Sequence, residues 1–520
     1  MSHGVGAKAP PLIEYPIGEA LKRAVRQWPQ REALVSVQQN IRWTYAEFGA
    51  RTDRLAAGLL ALGLQRGDRI GIWATNCAEW TLTQFATARL GLVLVNINPA
   101  YRLSELRYTL AKVGMKALIA AETFRSSDYV GMVESLLPQV PASAPGTLVS
   151  EELPMLQWLV KIGGAPRPGW LDLDDVAARA GDADLAALEV AAVGVEAGQP
   201  INIQFTSGTT GLPKGATLSH RNILNNGYFV GAAMGLREGD RLCIPVPLYH
   251  CFGMVMSNLA CVAHGATMVY PSPTFDPLAV LKTVEAERCT ALHGVPTMFI
   301  AELEHPEFAS FDLSSLRSGV MAGAPCPVEV MRRVLDRMHM RDVTIAYGMT
   351  ETSPVSFQSA TDDPLDRRVS TVGRVQPHLE CRVVGPDGET LPAGETGELC
   401  TRGYSVMLGY WDDEAKTAEA IDAGGWMHTG DLATIDADGY GSIVGRIKDM
   451  VIRGGENIYP REIEEFFYAH PKVQDVQVVG VPDARYGEEL CAWVRVRVGE
   501  TLSEAELRDY CRGQIAHFKV

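Results

Sequence analysis

Thr206-Ser207-Gly208-Thr209-Thr210-Gly211-Leu212-Pro213-Lys214-Gly215 is the stretch on which the reading of this 520-residue chain turns. It follows an apolar run, residues 201–205 (INIQF), that reads as a buried strand. Gly208, Gly211 and Gly215 permit unusual backbone angles and let N–H groups come close to an anion. Thr206, Ser207, Thr209 and Thr210 add hydroxyl donors, and Lys214 adds a cation. Such a set makes a cradle for the outer phosphates of a triphosphate. It is not a Walker A loop, in which Ser or Thr must follow the lysine; here Gly215 does. A P-loop kinase or GTPase is therefore disfavoured.

Outward from this loop, the first half of the chain alternates helical and strand patterns. Residues 56–64 (AAGLLALGL) read as helix, 67–74 as a turn into a strand, 80–90 as helix and 91–95 (GLVLV) as a short buried strand. The alternation implies parallel sheets covered by helices. Residues 245–249, 266–270 and 290–292 continue it, while 141–169, rich in Pro and Gly, read largely as surface loop. Residues 373–410 change to short alternating runs with turn dipeptides, as in a small antiparallel sheet or barrel. From 445 onward a hairpin-like stretch, a helix over 461–468 and strands over 473–479 and 492–498 suggest a small α+β domain. The expected fold is α/β: a large domain over 1–445 and a small, incomplete mobile domain over 446–520.

Composition sets the limits. With 47% hydrophobic residues, the chain can bury more than one core. Mean hydropathy is zero, and no apolar run approaches the roughly 18 residues that span a bilayer. The first residues, MSHGVGAKAPPLIEYP, lack the apolar centre of a signal peptide, so a cytoplasmic protein is expected. Ten cysteines are scattered without a CxxC pair, which suits isolated thiols in a reducing compartment. A net charge of −15 argues against general binding to nucleic acid or to anionic membranes. A polyanionic substrate must be held by local donors.

Four further motifs stand in order behind the loop: Tyr347-Gly348-Met349-Thr350-Glu351, Trp426-Met427-His428-Thr429-Gly430-Asp431, Gly445-Arg446-Ile447-Lys448-Asp449 and Gly454-Gly455-Glu456-Asn457-Ile458-Tyr459-Pro460. Together with the decapeptide they resemble the adenylate-forming superfamily of acyl-CoA synthetases, luciferases and peptide-synthetase adenylation domains. The likeness is greatest to the medium- and long-chain fatty acyl-CoA synthetases. It implies an AMP-forming acid–thiol ligase that makes an acyl-adenylate from a carboxylic acid and ATP, then passes the acyl group to coenzyme A. Residues Thr206 to Gly211 and Lys214 would hold ATP phosphates, and Thr209 with Glu351 would bind magnesium through oxygen. Tyr347 would stack on adenine opposite Gly323-Ala324-Pro325, with Gly348, Met349 and Thr350 beside it. Asp431 would accept the ribose hydroxyls and Arg446 would add a second ribose and phosphate contact. Lys448 matches a hinge, and Gly454, Gly455 and Glu456 match a CoA-side loop.

His250, in PLYHCFG, corresponds to a family residue at the reacting carboxylate, and the absence of an acidic residue there suits an acid without an α-amine. Tyr228, Val295, Met298 and Met321 would line an acyl pocket; taken singly, each is as well read as ordinary core. One departure stands out. The family places an adenylation lysine near its C-terminus, and His517-Phe518-Lys519-Val520 resembles sequence upstream of it, so Lys519 is not that lysine. The expectation is ATP binding with poor adenylation and surviving thioester formation. Two other readings stay open: an adenylating enzyme with a carrier-protein acceptor, and a nucleotide-binding protein without turnover. A homodimer is also left open.

Overall fold

The apolar run ahead of the decapeptide forms a strand, Pro200–Thr206, and Lys214–Ser219 returns antiparallel beside it with Thr206 opposite Lys214. The phosphate loop therefore closes a hairpin; it does not lead from a strand into a helix. The computed structural model of the chain describes residues 1–206, 213–453, 456–483, 485–512, 514–516 and 519–520.

Among the described residues, this hairpin lies in an eight-stranded sheet whose other members are parallel up to Pro200–Thr206. Its last strand is the two-residue Gly409–Tyr410, paired antiparallel with Lys214–Ser219. A nine-stranded sheet packs nearby, parallel through its middle and antiparallel at both edges. Both central sheets are buried on two faces, and their strands are accordingly near-continuous apolar runs such as Val93–Asn96 and Ala117–Ala121. The largest core joins the two sheets through Phe48, Trp80, Phe85, Leu224 and Leu259.

The helices start where their chemistry allows. Tyr45–Ala61 begins eleven residues before the apolar stretch that signals it, because the Thr44 hydroxyl and the Glu47 carboxylate form a capping box. His220–Ala233 is capped the same way by Ser219 and Asn222.

Two expectations are corrected. Within the supposed loop 141–169, Trp158–Ile162 is a strand paired parallel with Ala117–Ala121, its Leu159 and Val160 buried. Residues 245–249 are not a strand: the strand is Arg241–Cys243, and Pro245 and Pro247, which cannot donate to a ladder, turn the chain out toward a cavity.

The antiparallel region is a five-stranded sheet that includes Leu379–Val384, Gly397–Gly403, Met427–Ile435 and Gly441–Arg446. A four-stranded sheet begins at Val451–Arg453 and carries its own core of Val451, Ile458, Ile463, Phe467, Val473 and Val476 under helix Pro460–Tyr468. Its long hairpin, Val473–Asp483 against Gly487–Val496, extends further than the sequence pattern shows. This unit touches the rest of the chain through polar contacts at Glu304. That carboxylate pairs with Arg497 (2.5 Å) and the Gln474 amide of the small unit, and with Arg333 (3.5 Å) of its own unit.

Glu302 sits two residues earlier, in the last turn of helix Pro296–Leu303, 1% exposed, and neither carboxylate oxygen has a hydrogen-bond partner among the described residues. Burial pushes its carboxyl well above the usual range, so it is held as the neutral acid. A raised folded-state value makes this contribution complete below the unfolded value, about 4.5, and progressively lost as pH rises above it. We predict that Glu302→Met raises the melting temperature, and that the gain grows from pH 5 to pH 8, reaching about 1–3 kcal/mol, the cost of an unsatisfied buried polar group. A gain that does not vary with pH contradicts a neutral Glu302. Glu304 gives a second test. A partly exposed pair of this kind contributes about 1 kcal/mol, so Glu304→Ala should speed limited tryptic cleavage between the two units severalfold while leaving the main melting transition in place.

Candidate active site

The strand ends that flank the phosphate loop carry the first group of functional side chains. Ser207, Gly208, Thr209, Thr210 and Gly211 lie outside the described residues; Thr206 and Lys214 are placed. Glu351 projects from a single turn, Thr350–Thr352, whose carbonyl oxygen accepts the Met407 N–H at 2.9 Å. Its side chain is 5% exposed. Glu351 Oε1 accepts the Tyr410 hydroxyl at 2.8 Å and the Thr206 hydroxyl at 3.2 Å. Lys214 Nζ donates to Tyr410 Oη at 3.0 Å and stands 4.2 Å from the centre of its ring. One phenol thus donates to the carboxylate and accepts from the ammonium. Burial, then the neighbouring Glu351 charge, holds the Tyr410 hydroxyl far above its ordinary pKa, so it stays a donor. Glu351 Oε2 has no hydrogen-bond partner among the described residues. A carboxylate with one oxygen tied and one open, beside hydroxyls, fits a hard cation such as magnesium.

The second group lies at the ends of the nine-stranded and five-stranded sheets. Tyr347 ends strand Asp342–Gly348 and donates its hydroxyl to Asp431 Oδ2 at 2.5 Å. Asp431 pairs across the ladder with Arg446, whose Nε lies 3.4 Å from Oδ1. Burial raises the Asp431 carboxyl above its usual range, against the opposing pull of Tyr347 and Arg446. Gly348 is required by a close approach: a Cβ there would lie 1.7 Å from the Pro354 carbonyl oxygen. Gly323 has φ +84°, a left-handed conformation that suits glycine. Gly323, Ala324 and Pro325 are exposed to the cleft, and Met349 and Thr350 line it beside Tyr347.

Both groups open on one cavity of about 1530 Å3. A second, of about 830 Å3, lies between the large unit and the small one. Tyr347, Asp431, Arg446 and Lys448 line both, so the expected hinge residue stands where the two cavities join. Glu456 is exposed on strand Glu456–Ile458 and lines neither cavity, and Gly454 and Gly455 lie outside the described residues.

The larger cavity has an apolar side. His250 precedes the short helix Cys251–Gly253 and faces the cavity with Phe252, Met256, Val295 and Met298. Desolvation by surrounding protein lowers its imidazole below the usual value. Two expected pocket residues are elsewhere. Met321, on the buried parallel strand Ser318–Met321, is fully buried among Leu292, Phe299 and Ile345. Tyr228 stacks on His264, ring centres 5.1 Å apart and 9° from parallel.

Tyr410, Glu398 and His428 are cavity residues to which the sequence reading assigns no role. Tyr410 closes the Glu351 cluster; its only local signal is a Gly-aromatic pair at the end of the antiparallel region. Glu398 and His428 pair at 2.9 Å on the cavity wall, and Glu398 also accepts the Gly430 N–H at 3.1 Å. His428 stands three residues before Asp431 in the same motif, which was the available signal.

These features define a nucleotide cleft shared between a large α/β unit and a small C-terminal one. The chain belongs to the AMP-binding enzyme family, whose pattern matches residues 21–411; the AMP-binding enzyme C-terminal domain matches 462–520. The Bacillus subtilis protein YngI is 50% identical over 510 residues, 98% of this chain and 93% of that one. The mitochondrial medium-chain acyl-CoA ligase ACSF2 of Homo sapiens is 44% identical over 526 residues, 100% of this chain and 85% of that one. Among solved structures, the anthranilate CoA ligase AuaEII in complex with anthranoyl-AMP superposes with a TM-score of 0.86 at 27% identity, covering 98% of this chain and 92% of that one. ATP-bound MatB from Rhodopseudomonas palustris gives 0.82 at 30% identity, over 96% and 93%. No described helix is long and apolar enough to cross a membrane.

Asp431 offers the sharpest nucleotide test. A hydrogen bond to a charged group is worth about 1.5–3 kcal/mol, so Asp431→Ala should weaken AMP binding at least about tenfold in calorimetry. Unchanged affinity removes Asp431 from the nucleotide site.

Proposed function

We propose that this chain is an ATP-dependent, AMP-forming acyl-CoA ligase acting on a medium-chain carboxylic acid. The observation that carries the reading is one cavity in which the Lys214–Tyr410–Glu351 cluster, the Tyr347–Asp431–Arg446 cluster and an apolar wall beside His250 meet. Its similarity to a medium-chain acyl-CoA ligase over the whole chain supports the choice of acid.

Adenylation joins a carboxylate oxygen to the α-phosphorus of ATP as the bond to pyrophosphate breaks. The thiolate of coenzyme A then attacks the acyl carbonyl, and AMP leaves with the bonding pair. The first step is largely electrostatic, since a transferring phosphoryl group needs charge stabilisation more than covalent help. Lys214 supplies a cation at the phosphate side, and Arg446 a second near Asp431. Magnesium, when bound at Glu351, would neutralise charge on the phosphate oxygens. Tyr347 and Gly323-Ala324-Pro325 offer the adenine a slot, and Asp431 accepts from ribose hydroxyls in place of its Tyr347 bond. Neutral His250 can donate a hydrogen bond to the reacting carboxylate without forming an ion pair that would weaken its nucleophilicity. Val295, Met298, Phe252 and Met256 then receive the hydrocarbon chain, where pliable methionines tolerate variation in its shape. Lys448, at the junction of the cavities, is suited to a hinge that turns the small unit between the two steps.

The test compares octanoyl-CoA formation from octanoate, Mg-ATP and coenzyme A with formation from preformed octanoyl-adenylate and coenzyme A. Product is expected from the adenylate. Absence of product from both overturns the ligase reading for this acid. Product from both at similar rates shows that this chain carries out both steps.

A further inference from the structure

Tyr410 is a buried side chain of the cleft to which the reaction scheme gives no step. It is 6% exposed, and its strand of two residues exists only as the edge partner of Lys214–Ser219, with Tyr410 opposite Ala216. Two further bonds fix it: the Tyr410 N–H donates to Thr417 Oγ1 at 2.9 Å, and the Thr417 hydroxyl donates to the Asp413 carbonyl at 2.8 Å. The ring is therefore held from its own backbone, independently of any ligand. Its hydroxyl sits between the two opposite charges of the phosphate side, with Glu351 Oε1 at 2.8 Å and Lys214 Nζ at 3.0 Å.

That arrangement has two consequences. With Oε1 engaged by Tyr410 and Thr206, rotation of the carboxylate is restrained and Oε2 is the oxygen left for a cation. Lys214, meanwhile, is kept off Glu351 by an intervening hydroxyl. A direct Lys214–Glu351 ion pair would compete with both phosphate and metal; a phenol between them prevents it, bonding to each charge without adding one.

We propose that Tyr410 is a positioning residue that presents Glu351 to the nucleotide-bound divalent cation and holds Lys214 apart from it until the triphosphate arrives. This rests on the ligase reading for its turnover consequence, but its binding consequence stands alone. Outer partners of metal ligands commonly change metal affinity 10–100-fold.

The test is Tyr410→Phe, which keeps the ring and its contact with the Lys214 ammonium and removes only the hydroxyl. Mn2+ binding in the presence of ATP is read by electron paramagnetic resonance, beside the Mg2+ concentration giving half-maximal octanoate-dependent ATP–pyrophosphate exchange. Both constants should rise about tenfold, while the KM for octanoate and the melting temperature stay within about twofold and about 2 °C of wild type. A second variant, Thr417→Val, removes the bond that anchors the Tyr410 backbone and should produce a smaller rise in the same constants. Unchanged Mn2+ binding in Tyr410→Phe overturns the proposal, as does a loss that falls equally on octanoate and metal. Weakened Mn2+ binding in Tyr410→Phe, with no octanoyl-CoA formed by wild type from preformed octanoyl-adenylate and coenzyme A, sinks the ligase reading and leaves the role of Tyr410 supported.

Discussion

The phosphate side of this protein depends on a reversal of strand direction. Six parallel strands arrive at Pro200–Thr206, and the next, Lys214–Ser219, runs back. Had the chain continued into a helix, as at a P-loop, Lys214 would sit on a helix end and its neighbours would be backbone N–H groups. The return strand places Lys214 on a sheet instead, where it can be paired on its far side. Gly409–Tyr410, arriving from the antiparallel region, takes that place. Through this two-residue strand the eight-stranded sheet, the antiparallel sheet and the Glu351 turn are locked to one another.

Electrostatics explain why the lock is built from neutral groups. The chain is strongly acidic overall, with a formal net charge of −15, yet the cleft has to receive a polyanion. Lys214, Arg446 and Lys448 offer local cations, and two of the carboxylates that line the cleft are tied by a tyrosine hydroxyl: Glu351 by Tyr410 and Asp431 by Tyr347. A phenol can satisfy a buried carboxylate without adding charge, so the site is stable empty and its donors remain exchangeable.

The small C-terminal unit obeys a different rule. It has a core of its own, and its contact with the large unit at Glu304 is polar, through Arg497 and Gln474. Interfaces of that kind hold an orientation without fixing it. The second cavity lies along the same junction, so motion of one unit against the other would reshape the space around Tyr347, Asp431 and Arg446 without disturbing either core.

Much of the chemistry was legible in the sequence because it is local. A glycine and hydroxyl-rich loop before a lysine, an acidic residue four positions after a tyrosine, and an aspartate in a Thr-Gly-Asp turn declare themselves in a few residues, and apolar runs declared the parallel sheets. Strand Trp158–Ile162 was hidden by the Pro and Gly on either side of it; only its parallel pairing with Ala117–Ala121 reveals it. Met321 and Val295 look alike as apolar residues near a motif. Met321 ends the buried strand Ser318–Met321 and is sealed in the core, whereas Val295 lies one residue past strand Ala291–Gly294, at the start of helix Pro296–Leu303, and lines the cavity. The tyrosine–carboxylate bonds join residues 59 and 84 positions apart. No spacing rule reaches that far, since such contacts are set by strand order and register. By itself, then, the sequence determined the groups available and the secondary structure that carries them. Tertiary structure alone decided which oxygen of Glu351 is left open among the described residues and what stands between it and Lys214, because only the folded sheets bring Tyr410 to that place.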